Sequence, residues 1–253
     1  MPTEETTPTA APGGVLGYNR VMRCNLHALM EYKGGDYLIY SDLMAALAKT
    51  LKKRIKDKHQ NVILVVGPTG SGKSTCALNL IYALEPDWNI AENYVYSAED
   101  LARKLKYRAT ASKITLYDEG SVSLNSLNSI RRSDNMQVVL LDTCRSLGWT
   151  TVICIPSIND LNKRIRDHLI DYVLVCSNKP LAPGLEARGF FELYKPGRDT
   201  WAKSTYYHLI GAGTYKKIEG KKAEIYDRIK YEHQMALIGG FVNQYTENEN
   251  EAE

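Results

Sequence analysis

No stretch of this 253-residue sequence comes near the roughly 18 consecutive apolar residues that a membrane-spanning helix needs, so a spanning helix is excluded. The opening MPTEETTPTAAPGG is acidic and has no apolar centre, so no secretory leader is expected there. Cysteine is sparse and scattered. Five residues (Cys24, Cys76, Cys144, Cys154 and Cys176), an odd number without a CxxC pair, argue against a disulfide framework or a zinc site and for a reducing cytosol. The five histidines show no metal-ligand spacing, and no nucleophile elbow supports a serine hydrolase. Phenylalanine is rare, 3 residues against 17 tyrosines, which reads as tyrosine filling core edges and interfaces, with base stacking as the alternative.

What remains is globular: 44% apolar and 24% charged residues, enough for one elaborated α/β domain or two small ones. Residues 1–14 hold no large apolar side chain and are expected to form a disordered arm, as is the acidic tail 246–253. An N-terminal extension with a basic helix is expected over 15–60. Within it Leu43, Leu47, Leu51 and Ile55 recur at i+4, and six Lys or Arg lie between 49 and 58, which reads first as a solvated face. The main folded core is expected over 61–220, followed by a C-terminal helix over 221–245. Strands are predicted at 61–67, 93–97, 113–117, 150–155, 171–176 and 189–194, with helices at 73–85, after Ser97, and before Gly148. The last of these helices carries Met136, Val139, Leu140, Thr143, Cys144 and Leu147 as its expected apolar stripe. Alternating strands and helices predict an α/β fold, a mostly parallel sheet covered on both faces.

One motif carries chemistry. Gly67-Pro68-Thr69-Gly70-Ser71-Gly72-Lys73-Ser74 matches G-x-x-x-x-G-K-[ST] and sits between an apolar strand and a helix, the context in which the pattern works. Its glycines let backbone N–H groups turn inward onto phosphate oxygens, and the helix start adds its positive end. Lys73 is expected to reach the β- and γ-phosphates of ATP, Ser74 to ligate Mg²⁺, and Thr75 to donate to the α-phosphate. Downstream, Ile114-Thr115-Leu116-Tyr117-Asp118-Glu119 is an apolar strand ending in two carboxylates. Asp118 fits the metal's water shell, and Glu119 is placed to polarise a water for attack on the γ-phosphate.

Strand–GPTGSGKST–helix, then ITLYDE, then a helix ending Cys144-Arg145-Ser146-Leu147-Gly148, then TVICIPS and RGFFELY, resembles the FtsK/HerA branch of RecA-like P-loop ATPases. More narrowly it is similar to the small packaging and Zot-like ATPases of archaeal viruses and mobile elements, over roughly residues 41–215. The resemblance implies a homo-oligomeric ring, pentamer or hexamer, that hydrolyses ATP and translocates double-stranded DNA in the host cytoplasm or with the virion. A capsid vertex or portal protein is the implied partner in packaging. Transfer of a mobile element, or a nucleotide-gated assembly role, is the alternative. A nucleotide kinase is disfavoured by Glu119 and by the lack of an Arg-rich lid.

By position Arg145 would be an arginine finger acting on a neighbouring subunit, with a helix-terminal surface arginine as the plain reading. Arg131, Arg132 and Arg188 are rival fingers. Ser157 stands where relatives carry a sensor, and an N-cap is its other reading. Lys163, Arg164 and Arg166 are candidate DNA contacts on a helix that also reads as simply solvated. The two ends of the chain contain six Glu (Glu4, Glu5, Glu247, Glu249, Glu251, Glu253) and no Lys or Arg. The net charge of +3 therefore hides 32 basic against 23 acidic residues over 15–245, a balance of +9 that suits a polyanion.

Overall fold

The computed structural model describes residues 30–31, 38–40, 42–107, 112–118, 138–144, 147–177, 189–199 and 204–250. Nine strands form one sheet in the order β1-β2-β9-β8-β7-β3-β6-β5-β4. They are β1 (Met30–Glu31), β2 (Leu38–Tyr40), β3 (Asn61–Val66), β4 (Tyr94–Val95), β5 (Ile114–Tyr117), β6 (Thr150–Ile155), β7 (Tyr172–Val175), β8 (Phe190–Asp199) and β9 (Ser204–Thr214). The helices are α1 (Leu43–Lys56), α2 (Lys73–Leu84), α3 (Ile90–Asn93), α4 (Ala98–Tyr107), α5 (138–144), α6 (Lys163–His168) and α7 (Lys221–Asn250).

The five central strands β7-β3-β6-β5-β4 are all parallel, the mostly parallel α/β sheet expected. An antiparallel hairpin, β8–β9, extends the sheet past β7, and β9 in turn pairs parallel with β2. Buried central strands read as continuous β-branched runs because both of their faces are covered. In β3, Ile63 and Val65 join one core with Leu47 and Leu51 of α1 and Leu80 and Ile81 of α2. Val62 and Leu64 join the opposite core with Leu101 of α4, Leu141 of α5 and Ile165 of α6. Alternate residues thus serve alternate layers, and the result is three layers, helix–sheet–helix.

Three expectations change. The stripe of α5 is Val138, Leu141 and Cys144, all buried, whereas Val139 is 58% exposed and Leu147 also faces outward. Val138-Val139 and Leu140-Leu141 are apolar doublets, so two adjacent stripes are equally apolar in sequence, and only contact with the sheet chooses between them. The tail predicted to be disordered from 246 is helical to Asn250, because extending an existing helix adds one hydrogen bond per residue without a new nucleation cost. Strands β1, β2 and β9 carried no prediction; Gly211 and Gly213 dilute the β signal of β9. The expected arm 1–14 lies outside the described residues.

Candidate nucleotide and metal site

Parallel strands bring their carboxyl ends to one edge of the sheet, where α/β folds place ligands. The phosphate loop follows β3, Asp118 follows β5, and Ser157 lies two residues beyond β6. Since β6 lies between β3 and β5, the loop and the carboxylate approach each other across its end.

The loop is shaped by close approach. The Cα of Gly67 lies against the backbone carbonyl of Cys176, and a methyl there would overlap that oxygen and sit 2.6 Å from the Ser71 Oγ. Gly72 caps α2 in the left-handed region (φ 86), which favours glycine. The Tyr215 hydroxyl covers it and donates to the Ser71 carbonyl at 3.1 Å. Pro68, Thr69 and Gly70 face solvent, while Ser71 is buried and its Oγ has no hydrogen-bond partner among the described residues. Hydrogen bonding within α2 begins with the Cys76 N–H onto the Gly72 carbonyl, so the N–H groups of Lys73, Ser74 and Thr75 precede the intrahelical ladder. Lys73 reaches back over the loop and donates from Nζ to the Pro68 carbonyl at 2.9 Å. Unpaired helix-start N–H groups, a glycine cradle and one ammonium form a donor set that fits the phosphates of ATP.

Beside the loop lies a corner of oxygens. Asp118 is 3% exposed. The Ser74 hydroxyl donates to its Oδ1 at 3.1 Å, and the Tyr226 hydroxyl, from α7, donates to its Oδ2 at 2.6 Å. Lys230, one turn further along α7, holds its Nζ 3.8 Å from the same oxygen. One hydroxyl and one carboxylate are the hard ligands Mg²⁺ prefers, so Ser74 and Asp118 fit that ion. Burial, and then the Asp118 charge, push the Tyr226 phenol far above its ordinary range, so it stays a neutral donor. Below the loop, Cys76, Cys154 and Cys176 are buried thiols. Desolvation pushes Cys76 and Cys154 well up, which makes them packing groups and not ligands.

The remaining candidates divide. The Ser157 Oγ accepts from the Asn159 N–H at 3.2 Å, opening the 3-10 turn Ile158–Asp160, so its capping reading has a partner in hand. It lies past the end of β6, between the loop strand and the Asp118 strand. On α6, the exposed Arg164 pairs with Asp142 at 3.5 Å, Arg166 pairs with Asp167 while donating to the Asn159 side chain, and Lys163 is exposed. Glu119, Arg145, Arg131, Arg132 and Arg188 lie outside the described residues. Sequence reasoning missed Tyr215, Tyr226 and Lys230. Tyr226 lies 108 residues from Asp118 and Tyr215 144 from Ser71, and no local motif marks either.

No family model and no curated protein matches this sequence. Among solved structures, it is similar to the N-terminal domain of zonular occludens toxin from Neisseria meningitidis, with 16% identity, 63% of this chain and 96% of that one covered, and a TM-score of 0.41. It is also similar to the genome packaging NTPase B204 of Sulfolobus turreted icosahedral virus 2, with 12% identity, 60% and 98% coverage and a TM-score of 0.39. For the FIGL-1 AAA domain the values are 18% identity, 53% of this chain, about half (52%) of that one, and a TM-score of 0.38.

Proposed function

We propose that the protein is an ATP-hydrolysing motor acting on double-stranded DNA as a homo-oligomeric ring. Viral genome packaging is its setting, and transfer of a mobile element is the alternative. The observation that carries the ATPase reading is the Ser74–Asp118 contact at the mouth of the phosphate loop, which joins the two halves of a metal–phosphate site from separate strands. Loop N–H groups and Lys73 bind the phosphates, while Ser74 and Asp118 would hold Mg²⁺, which would draw charge from the phosphate oxygens. Glu119, adjacent to Asp118, takes a proton from water as the water oxygen bonds to the γ-phosphorus. The bond from that phosphorus to the β–γ bridging oxygen breaks, and ADP and phosphate leave. Arg145 of a neighbouring subunit is assigned to the charge that develops there. The packaging setting rests on the motif resemblance, and a capsid vertex or portal protein is the partner it implies. No described helix is long and apolar enough to cross a membrane.

The test is phosphate release with and without double-stranded DNA. Wild type releases phosphate faster with DNA, and Glu119→Gln binds ATP but turns over at least about 100-fold more slowly, within the range of a lost general base. Normal turnover in Glu119→Gln removes the catalytic assignment. Release that ignores DNA favours a nucleotide-gated assembly role, and transfer only to an added acceptor favours a kinase.

Charge on the surface refines the DNA contact. Lys49, Lys52, Lys53 and Lys56 share the face of α1 opposite Leu43, Leu47 and Leu51, all four are exposed, and none forms an ion pair with a described residue. The basic region continues into a cavity of about 310 Å³ lined by Lys58, His59, His168 and the Arg54–Asp171 pair. Arg164 and Arg166 are already paired, so α1 offers more uncommitted positive charge than α6. Replacing the four α1 lysines by Gln is expected to reduce the salt dependence of duplex binding by about 3–4 in log–log slope, since each lost phosphate contact removes about 0.9. Lys163→Gln is expected to change it by about 1 at most. An unchanged slope in the α1 variant would return the DNA contact to α6 or elsewhere.

A further inference from the structure

Helix α7 reaches the metal corner from the far end of the sequence. Its first turns are seated on the body. Lys222 donates to the Pro86 carbonyl at 2.8 Å and lies over the Tyr82 ring, Ile229 is buried in the core shared by α1 and α2, and His233 stacks on Tyr96 at 4.4 Å. Between these anchors, Tyr226 and Lys230, i and i+4 on one face, converge on the same oxygen of Asp118. Ser74 and Tyr226 thus donate to the two different oxygens of one carboxylate, Ser74 to Oδ1 and Tyr226 to Oδ2. The opposite face of α7 differs: Tyr231, Met235 and Ile238, spaced four and three apart, are exposed.

A nearly buried carboxylate needs compensation, and here α7 supplies it with a neutral donor and a cation. A divalent cation held by Ser74 and Asp118 would bring two positive charges next to the Lys230 ammonium, and it would draw on the carboxylate that Tyr226 now contacts. Both cannot hold Asp118 in the same way. We propose that Tyr226 and Lys230 form a metal-sensitive clasp: they position Asp118 while the corner lacks a divalent cation, and Mg²⁺ arriving with nucleotide expels Lys230 and loosens α7 from the body. Tyr226 is a positioning residue, and Lys230 is a stand-in cation. The consequence is that metal–nucleotide occupancy is communicated to a long helix whose other face carries an exposed apolar row. This inference rests on the metal–phosphate reading of the site.

Two measurements test it on the full chain. In the first, binding of a non-hydrolysable ATP analogue is titrated with Mg²⁺. Lys230→Gln is expected to lower the Mg²⁺ concentration for half-maximal binding roughly two- to fivefold, the upper part of the range of a partly exposed charge pair, and Lys230→Arg to restore the wild-type value. The same or a higher Mg²⁺ requirement in Lys230→Gln overturns the competition. In the second, amide exchange is followed over residues 222–233. In wild type, Mg²⁺ with analogue speeds exchange there, whereas analogue with chelator does not. Tyr226→Phe shows the faster exchange already without metal. Wild-type exchange that Mg²⁺ with analogue leaves unchanged or slows overturns the clasp. If wild type binds no analogue under any condition, the phosphate-site reading fails. The metal-free comparison of wild type with Tyr226→Phe then still decides whether Tyr226 holds α7, and equal exchange in the two overturns it.

Discussion

Lys73→Ala is expected to weaken ATP binding by about two orders of magnitude or more, because the ammonium is assigned charge-assisted hydrogen bonds to two phosphates, each worth about 1.5–3 kcal/mol. The fold has little stake in this half-buried side chain, whose hydrogen bond among the described residues goes to the Pro68 carbonyl. Thermal stability without nucleotide is therefore expected to stay within about 0.5 kcal/mol of wild type, as for surface substitutions generally. That separation gives the experiment its force: titration with a fluorescent ATP analogue reports the loss, and a melting curve shows that the chain is still folded. Near-normal affinity in a folded Lys73→Ala would mean that the phosphates are held elsewhere.

Gly67→Ala is expected to damage both fold and site. The added methyl meets the carbonyl oxygen of Cys176, which belongs to the backbone and cannot rotate away. Neither side is free to retreat. The Gly67 N–H is bonded to the Ile155 carbonyl at 3.3 Å, and the Cys176 N–H to the Val66 carbonyl at 2.7 Å, so the ends of β3, β6 and β7 are tied together at this point. Overpacking of this kind costs about 1–3 kcal/mol or more, which in a chain of this size lowers the melting temperature by roughly 2–10 °C. Nucleotide affinity falls with it, since the loop can relieve the overlap only by moving. Gly239→Ala is the natural control, because a methyl there meets nothing within 4 Å and replaces a poor helix former inside α7. A Gly67→Ala variant as stable as wild type would show that the strand ends are looser than their hydrogen bonds indicate.

Both substitutions fall on residues the sequence alone singles out, and for a physical reason. A phosphate loop is a local device: strand, turn and helix are contiguous, so glycine spacing and apolar runs expose it directly. The central strands are legible for the same cause, since burial on both faces leaves an unbroken β-branched run in NVILVV and TTVICI. Legibility ends where the choice is made by distant contacts. The sequence of α5 carries two equally apolar stripes, and the sheet selects the one through Val138 and Leu141. The charges of α6 look uncommitted until Asp142 and Asn159 are seen beside them. Tyr226 and Lys230 look like ordinary residues of a polar helix, and only the return of α7 to Asp118 gives them a role.

The central position of β3 also bears on how the chain is made. Its partners come late: Asn61 pairs with Thr150 of β6, and Ile63 pairs with Tyr172 of β7. Parallel pairing over such separations is intrinsically slow, since the loop must be closed before any contact rewards it. At roughly 5–20 residues per second of synthesis, β3 waits on the order of ten seconds for both neighbours to exist. During that interval NVILVV, six residues without charge, proline or glycine, has no sheet to join, which is the composition that drives intermolecular strand pairing. The strand that later carries the phosphate loop is thus the segment most in need of protection on the nascent chain. Its early burial by α1, already synthesised ahead of it and able to cover Ile63 and Val65 with Leu47 and Leu51, is the shelter the sequence itself provides.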